Sequence, residues 1–343
     1  MPYNQNQSEA VERAALPGNP RRVLLLTSGH VGSNIFCTPA IHLLKRSLPH
    51  IHFDAVASSE RGASAFEGNP DIDATFCRWT ARGVRRLAAG YDLVIGLHHD
   101  QTVRFLQGAG VPCLSIDAEA GGHRADETLE FVRRLLSCTV KDSDRHYVIC
   151  PQPQHRAHVD RLLGRPAPDD ILVGFHLGTG RTAIHGWKFW YKKRERDPRI
   201  WPSTAYVAVA RQLRATSARV RPVLTGVRNE RFLARRFQKL FPESIDLTGR
   251  TSLLDLAALM TRLDAIVCAD NGVLHVACAA DVPLVALFGP SSPTRSGPYP
   301  MRSEAIVLRG KPISAIRADD VAAAVATLIA PRLAEATRHG RSA

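Results

Sequence analysis

The 343-residue chain lacks any apolar run near the roughly 18 residues needed to cross a bilayer. Residues 1–20 also lack the hydrophobic core and small-residue cleavage site of a secretory signal, so the protein is expected to be cytoplasmic. Cysteine is sparse. Cys37, Cys77, Cys113, Cys138, Cys150, Cys268 and Cys278 are an odd number, form no C-x-x-C pair and sit mostly in apolar stretches. Buried free thiols are expected rather than disulfides or a metal site. Acidic residues are in deficit, with 32 Asp and Glu against 45 Lys and Arg, a net charge of +13. An imbalance of that size predicts an acidic partner: nucleic acid, anionic lipid or a phosphorylated ligand. A composition of 45% hydrophobic and 22% charged residues excludes a disordered chain, and the length suits two domains of about 150 residues each.

The charge has an address. Residues 1–150 hold 16 basic and 16 acidic side chains, whereas residues 151–343 hold 29 and 16. Residues 181–239 alone carry 16 basic residues against Glu195, Asp197 and Glu230, so everything outside that segment sums to zero. A uniform positive coat is excluded.

Strand and helix signals alternate. The run RVLLLT at 22–27 leads into SGHVGSN, after which Thr38-Pro39 opens an amphipathic stretch: strand, glycine loop, helix. Apolar runs at 53–57, 92–97 and 112–116 continue a parallel α/β pattern, closed by a helix at 127–138. Proline-rich segments at 151–158 and 165–170 read as a linker. Strands then follow at 171–176, 221–226, 265–270 and 283–288, with helices at 203–215, 229–241, 252–262 and 273–280. The expected organisation is a flexible extension (1–20), a Rossmann-like domain (21–150), a linker (151–170), a second Rossmann-like domain (171–330) and a basic tail (331–343). Two such domains place a cleft between the carboxyl ends of two sheets, where ligands bind.

Residues 178–202 break the rhythm and are expected to form a loop of unusual length. They include Trp187, Trp190 and Trp201, interleaved with basic residues that include Lys188, Lys192, Lys193, Arg194 and Arg199. Either the aromatics pack back on the domain, or they make an interface, for which an anionic membrane surface suits tryptophan beside basic clusters.

Two constellations carry chemistry. Gly29-x-x-Gly32 after the first strand is short of a dinucleotide fingerprint, and a tight turn alone accounts for it. The segment ADNGVLHVA places Asp270 at a strand end, Asn271-Gly272 in the turn and His275 in the first turn of a helix. A helix start suits a phosphate, and Asp270 can accept from sugar hydroxyls. Alternatively, Asp270 caps the helix and His275 is a core residue.

These motifs resemble glycosyltransferase family 9, the ADP-heptose:lipopolysaccharide heptosyltransferases and their relatives. The likeness spans roughly residues 20–310 in order: the 22–49 strand-loop-helix, GNPDID at 68–73, GGHRADETLEFV around His123, VGFHLGTG, Arg199-Ile200-Trp201-Pro202, LTGVRNE, and DNGVLHVA followed by PLVALFGP. The resemblance implies a GT-B fold, two facing Rossmann-like domains, with donor on the second domain and acceptor on the first. It implies inverting transfer of heptose from ADP-heptose, a substrate rather than a cofactor, with no metal. By position, Asp270 and His275 would hold sugar hydroxyls, and Asn271 and Gly272 would meet the diphosphate. Thr179, Gly180 and Arg199 would bind phosphate, Glu230 the ribose, and the stretch containing Thr251 would border the adenine.

One departure touches the chemistry. The family places its general-base aspartate after the loop glycine, here Gly32, and this chain has Ser33, followed by Asn34. A neutral serine is no base unaided, whereas His30 in the same loop has the right kind of side chain. Either His30 replaces the aspartate, or the chain is a weak or inactive nucleotide-sugar-binding scaffold. A nucleic-acid binder is disfavoured because no such module is recognisable. Expected partners are therefore a nucleotide-sugar and a glycan, lipid-linked or protein acceptor, with peripheral attachment to an anionic inner membrane left open.

Overall fold

The computed structural model describes residues 16, 18–78, 80–98, 106, 110–116, 121–193 and 198–339. The first domain is built from β1 (Arg22–Leu26), α1 (Val31–Ser47), β2 (His52–Ala57), α2 (Glu60–Ala63), β3 (Ala74–Cys77), α3 (Ala81–Ala88), β4 (Leu93–Gly96), β5 (Cys113–Ser115) and α4 (Arg124–Leu136). Next come α5 (Pro153–Leu163), β6 (Ile171–His176), α6 (Gly180–Lys193), α7 (Ser203–Thr216), β7 (Val220–Thr225), α8 (Arg231–Leu240) and β8 (Ile245–Asp246). The chain finishes with α9 (Leu253–Met260), β9 (Ala265–Ala269), α10 (Gly272–Ala279), β10 (Leu284–Phe288), α11 (Pro293–Ser296), β11 (Ala305–Arg309) and α12 (Ala318–His339).

The strands form two parallel sheets, ordered β3-β2-β1-β4-β5 and β11-β10-β9-β6-β7-β8. Central strands are apolar along their length because helices cover both faces: every residue of β4, β6, β9 and β10 is buried. The order reverses between β1 and β4 in the first sheet and between β6 and β9 in the second. Loops that follow strands on either side of such a reversal diverge and leave a crevice. The two-domain α/β class read from the sequence is borne out.

The domains are not merely tethered. One apolar cluster runs across them, joining Ile35, Phe36, Ala65, Ala125 and Tyr147 of the first half to Leu259, Leu274, Ala277, Phe288 and Tyr299 of the second. Polar struts flank it. His123 stacks on Tyr299 at 4.8 Å and its Nε2 lies 3.2 Å from the Gly297 carbonyl, while Tyr299 donates to Asp126. Arg295 reaches from α11 to Glu127 at 2.5 Å and to the Gly122 carbonyl at 2.9 Å. The histidine-bearing segment around 123 is thus a strut between the halves.

Four expectations about organisation need revision. Residues 151–170 include α5, which starts with Pro153 in its first turn and buries Val159 and Leu163. Proline fits there because its missing N–H is not needed. The basic tail expected from 331 is mostly the end of α12, which continues through Pro331 to His339; residues 340–343 lie outside the described residues. The extension expected at 1–20 lies largely outside them too, but Leu16 is buried in the first-domain core. The long loop expected at 178–202 is α6 as far as Lys193. Trp201 is 2% exposed, gives its indole N–H to the Ile316 carbonyl at 3.1 Å and packs edge-on against Tyr206, so it is a core residue. Trp187 is 59% exposed. The side chains of Lys188, Trp190, Lys192 and Lys193, and all of Arg194, lie outside the described residues.

Candidate active site

The crevice is a cleft of about 760 Å³ with walls from both domains. Gly29, His30, Val31 and Gly32 line one side with Ser59, Arg61 and Ser64. Thr179, Gly180, Glu230, Thr251, Ser252, Asn271 and Gly272 are among the residues opposite. Helices α1, α6, α9 and α10 all begin at this cleft, through Val31, Gly180, Leu253 and Gly272. Each leaves first-turn N–H groups without helical acceptors and brings the positive end of its dipole. Their convergence makes a site for a ligand with several negative charges.

The β1–α1 loop is held from beneath. Asn34, fully buried, accepts the Ser28 N–H at 2.7 Å and donates to the carbonyls of Ser28 and Gly62 at 2.9 and 2.8 Å. Ser59 ties in the Gly29 carbonyl at 2.6 Å. Asn34, expected on the acceptor side, therefore faces the protein rather than the cleft, and Ser33 is not among the lining residues. His30 sits at the N-cap of α1 without a side-chain cap bond and is exposed on the cleft wall. Gly32 is close to the second domain, since a Cβ there would lie 3.1 Å from the His275 ring.

The second-domain wall is cross-braced at its reversal point. Asn271 caps α10 by accepting the Val273 N–H at 2.9 Å, and its amide reaches across to the Gly178 carbonyl at 3.2 Å. Because Asn271 takes the capping role, Asp270 at the end of β9 does not cap, and its carboxylate accepts from the Ser296 hydroxyl at 3.2 Å. Glu230 is buried; it accepts from the Thr182 hydroxyl at 2.6 Å and from the Val227 N–H at 2.9 Å. Thr182 in turn accepts the Thr179 N–H at 2.6 Å, so the acid organises the loop that opens α6. Glycine is needed at 178, because a Cβ would overlap a Glu230 carboxylate oxygen and displace that group from its bonds. His176, beneath this loop, pairs with Thr225 at 3.0 Å, and burial lowers its pKa.

His275 is placed differently from expectation. It is 3% exposed and lies between the domains, with Phe36 at 4.4 Å and Tyr147 at 5.8 Å, rather than on the cleft lining. Burial, with lesser repulsion from His123 and Arg124, pushes its pKa down to about 3, so the imidazole is neutral. Arg199 and Asp270 are also absent from the lining residues. Arg199 follows Pro198, whose carbonyl accepts from Ile313 N–H at 3.3 Å beside the Gly289 loop. Sequence reasoning missed Ser59, Arg61 and Ser64. Their signal was their place directly after β2, since segments leaving the carboxyl ends of parallel strands face the crevice. Among the described residues, no three His, Cys, Asp or Glu side chains cluster as metal ligands.

The sequence model of glycosyltransferase family 9 (heptosyltransferase) matches residues 192–321. Lipooligosaccharide heptosyltransferase 2 of Haemophilus ducreyi is 28% identical over 318 residues, covering 84% of this chain and 88% of that protein. The protein of the same name from Haemophilus influenzae is 29% identical over 114 residues, an alignment that spans about a third, 32%, of either chain. The fold of the E. coli ADP-heptose LPS heptosyltransferase II matches with a TM-score of 0.72 at 17% identity, over 90% of this chain and 99% of that one. With the ordered motifs of both domains, the sequence matches make the chain similar to glycosyltransferase family 9, the heptosyltransferase family, with the family model falling on the second domain, and the structural match shows the same two-domain fold.

Proposed function

We propose that the cleft transfers a heptose from ADP-heptose to a hydroxyl of a lipopolysaccharide-type acceptor, with inversion at the anomeric carbon and without a metal. The observation that carries this reading is the convergence of four helix starts, α1, α6, α9 and α10, on one crevice of a family 9 fold. The diphosphate lies against the α6 and α10 starts, at Gly180 and at Asn271–Gly272, with the adenosine toward Thr251 and Glu230. The acceptor oxygen attacks the anomeric carbon from the first-domain side as the bond to the ADP oxygen breaks. Charge growing on that oxygen is stabilised by preorganised N–H dipoles, which do not have to reorient during the reaction.

The proton of the acceptor hydroxyl passes to His30. Gly29, His30, Val31, Gly32, Ser59, Arg61 and Ser64 form the first-domain wall and include no carboxylate, so His30 is the base available there among the described residues. Arg61 supplies a cation on the same wall. The donor assignment is tested by ligand-induced stabilisation, since a ligand that binds only the folded state raises the melting temperature. ADP and ADP-heptose are expected to raise Tm, with GDP- and UDP-sugars giving little change; a larger shift with a GDP- or UDP-sugar would reject ADP-heptose.

A further inference from the structure

Beside the cleft, a second concavity of about 650 Å³ opens on the outer surface of the second domain. One wall is α6, with Ile184, His185 and Trp187; the other is the turn before α8, with Arg228, and α8 itself, with Arg231 and Arg235. Arg231 and Arg235, four residues apart, share one face of α8, and Arg228 from the preceding turn lines the same concavity. None of the three forms a salt bridge among the described residues, and no carboxylate lines the concavity. Glu230, the acid nearest in sequence, is buried on the cleft side and held by Thr182 and Val227. The walls are fixed: Asn229 donates to the Ala183 carbonyl at 2.9 Å, and Arg231 Nε to the Thr248 carbonyl at 3.3 Å. Across from the arginines the rim is apolar, with Ile184 61% and Trp187 59% exposed.

Three guanidiniums lining one concavity, with no carboxylate against them among the described residues, repel one another in the absence of an anion. Arginine forks match phosphate oxygens in pairs of parallel hydrogen bonds. An exposed tryptophan and isoleucine opposite them suit a ligand that continues into a hydrocarbon or glycan part. We propose that this concavity, which adjoins the donor cleft and shares Ile184 and Asn229 with it, is a second anion site that takes the phosphate group of a phosphorylated amphiphile. The arginines hold the phosphate, and Ile184 and Trp187 cover the apolar portion. A phospholipid headgroup in a membrane and a single phosphorylated lipid molecule offer the same chemistry. The site accounts for positive charge in residues 181–239 that the donor diphosphate does not need. It does not depend on the sugar-transfer reading, because neither arginine altered below lines the cleft.

The test compares the wild type with an Arg228→Gln, Arg235→Gln double variant and with Trp187→Ala. Probes are vesicles of phosphatidylcholine with and without phosphatidic acid, and dihexanoyl phosphatidic acid as a soluble monomer, with ADP affinity as the control for folding. The wild type is expected to bind phosphatidic-acid vesicles well above neutral ones, and the double variant to lose about tenfold or more. Trp187→Ala weakens the same binding, and ADP affinity stays within about twofold. Binding of the soluble monomer identifies a single phosphorylated molecule as the ligand; binding of vesicles alone identifies the bilayer surface. The proposal fails if the wild type binds neither phosphatidic-acid probe, or if the double variant binds both as the wild type does.

Discussion

Lowering the pH should weaken this fold through His275, by an amount that can be worked out. The imidazole is 3% exposed between the domains, and burial holds its pKa at about 3 against an ordinary 6.5. Between those values the unfolded chain takes up a proton that the folded chain refuses. Stability contributed by the neutral form is therefore complete above about pH 6.5 and declines as the pH falls toward about 3. For one such site, the loss between about pH 7.5 and about pH 5 is about 2 kcal/mol. His123 and His176 are also lowered by burial and add to the wild-type slope, so the informative quantity is a difference. Replacing His275 with Leu keeps a side chain against Phe36 and Tyr147 but removes the proton. Urea unfolding of both proteins at the two pH values should show the variant losing about 2 kcal/mol less than the wild type. Equal losses would refute the burial argument and the neutral imidazole with it.

Three further outcomes follow from the braces around the cleft. Arg295→Leu leaves Glu127 buried beside an apolar side chain and should cost about 3–5 kcal/mol by denaturant unfolding; a loss under about 1 kcal/mol would show the strut to be solvated. Gly178→Ala should destabilise by about 1–3 kcal/mol because it must displace the Glu230 carboxylate. Gly180→Ala, with nothing within 4 Å of the added Cβ, serves as the tolerated comparison by the same assay. Asn34→Ala, which strands the buried Ser28 N–H and two carbonyls, should cost about 2 kcal/mol and raise the KM for the acceptor as the β1–α1 loop loosens; an unchanged melting curve would contradict the brace.

Parallel strands were legible because they are buried on both faces, as RVLLL and ILVGFH show. Helix α6 was not, since glycine and aromatic residues have low helix propensity and its outer face, with Ile184 and Trp187 exposed, carries no clean apolar stripe. It is held instead by tertiary bonds: Thr182 to Glu230, and Asn229 to the Ala183 carbonyl. Prolines misled at 151–158 because Pro153 begins a helix rather than breaking one. In the cleft, motif spacing found the residues at strand ends, Thr179, Gly180, Asn271 and Gly272. It could not distinguish wall from support. Asn34 and His275 share a motif with cleft residues but face inward, Asn34 to brace Ser28 and Gly62 within the first domain and His275 into the packing between domains, contacts that no local pattern encodes.

The proposed chemistry turns on His30 taking the acceptor's proton as the sugar is transferred in this cleft. The most direct measurement is the single-turnover transfer rate from ADP-heptose in wild type and His30→Gln, beside the donor Kd of each. With His30 as the base, the transfer step should fall by about a hundredfold or more, the usual range for loss of a general base, with donor Kd within about twofold. Wild-type transfer by His30→Gln would contradict it.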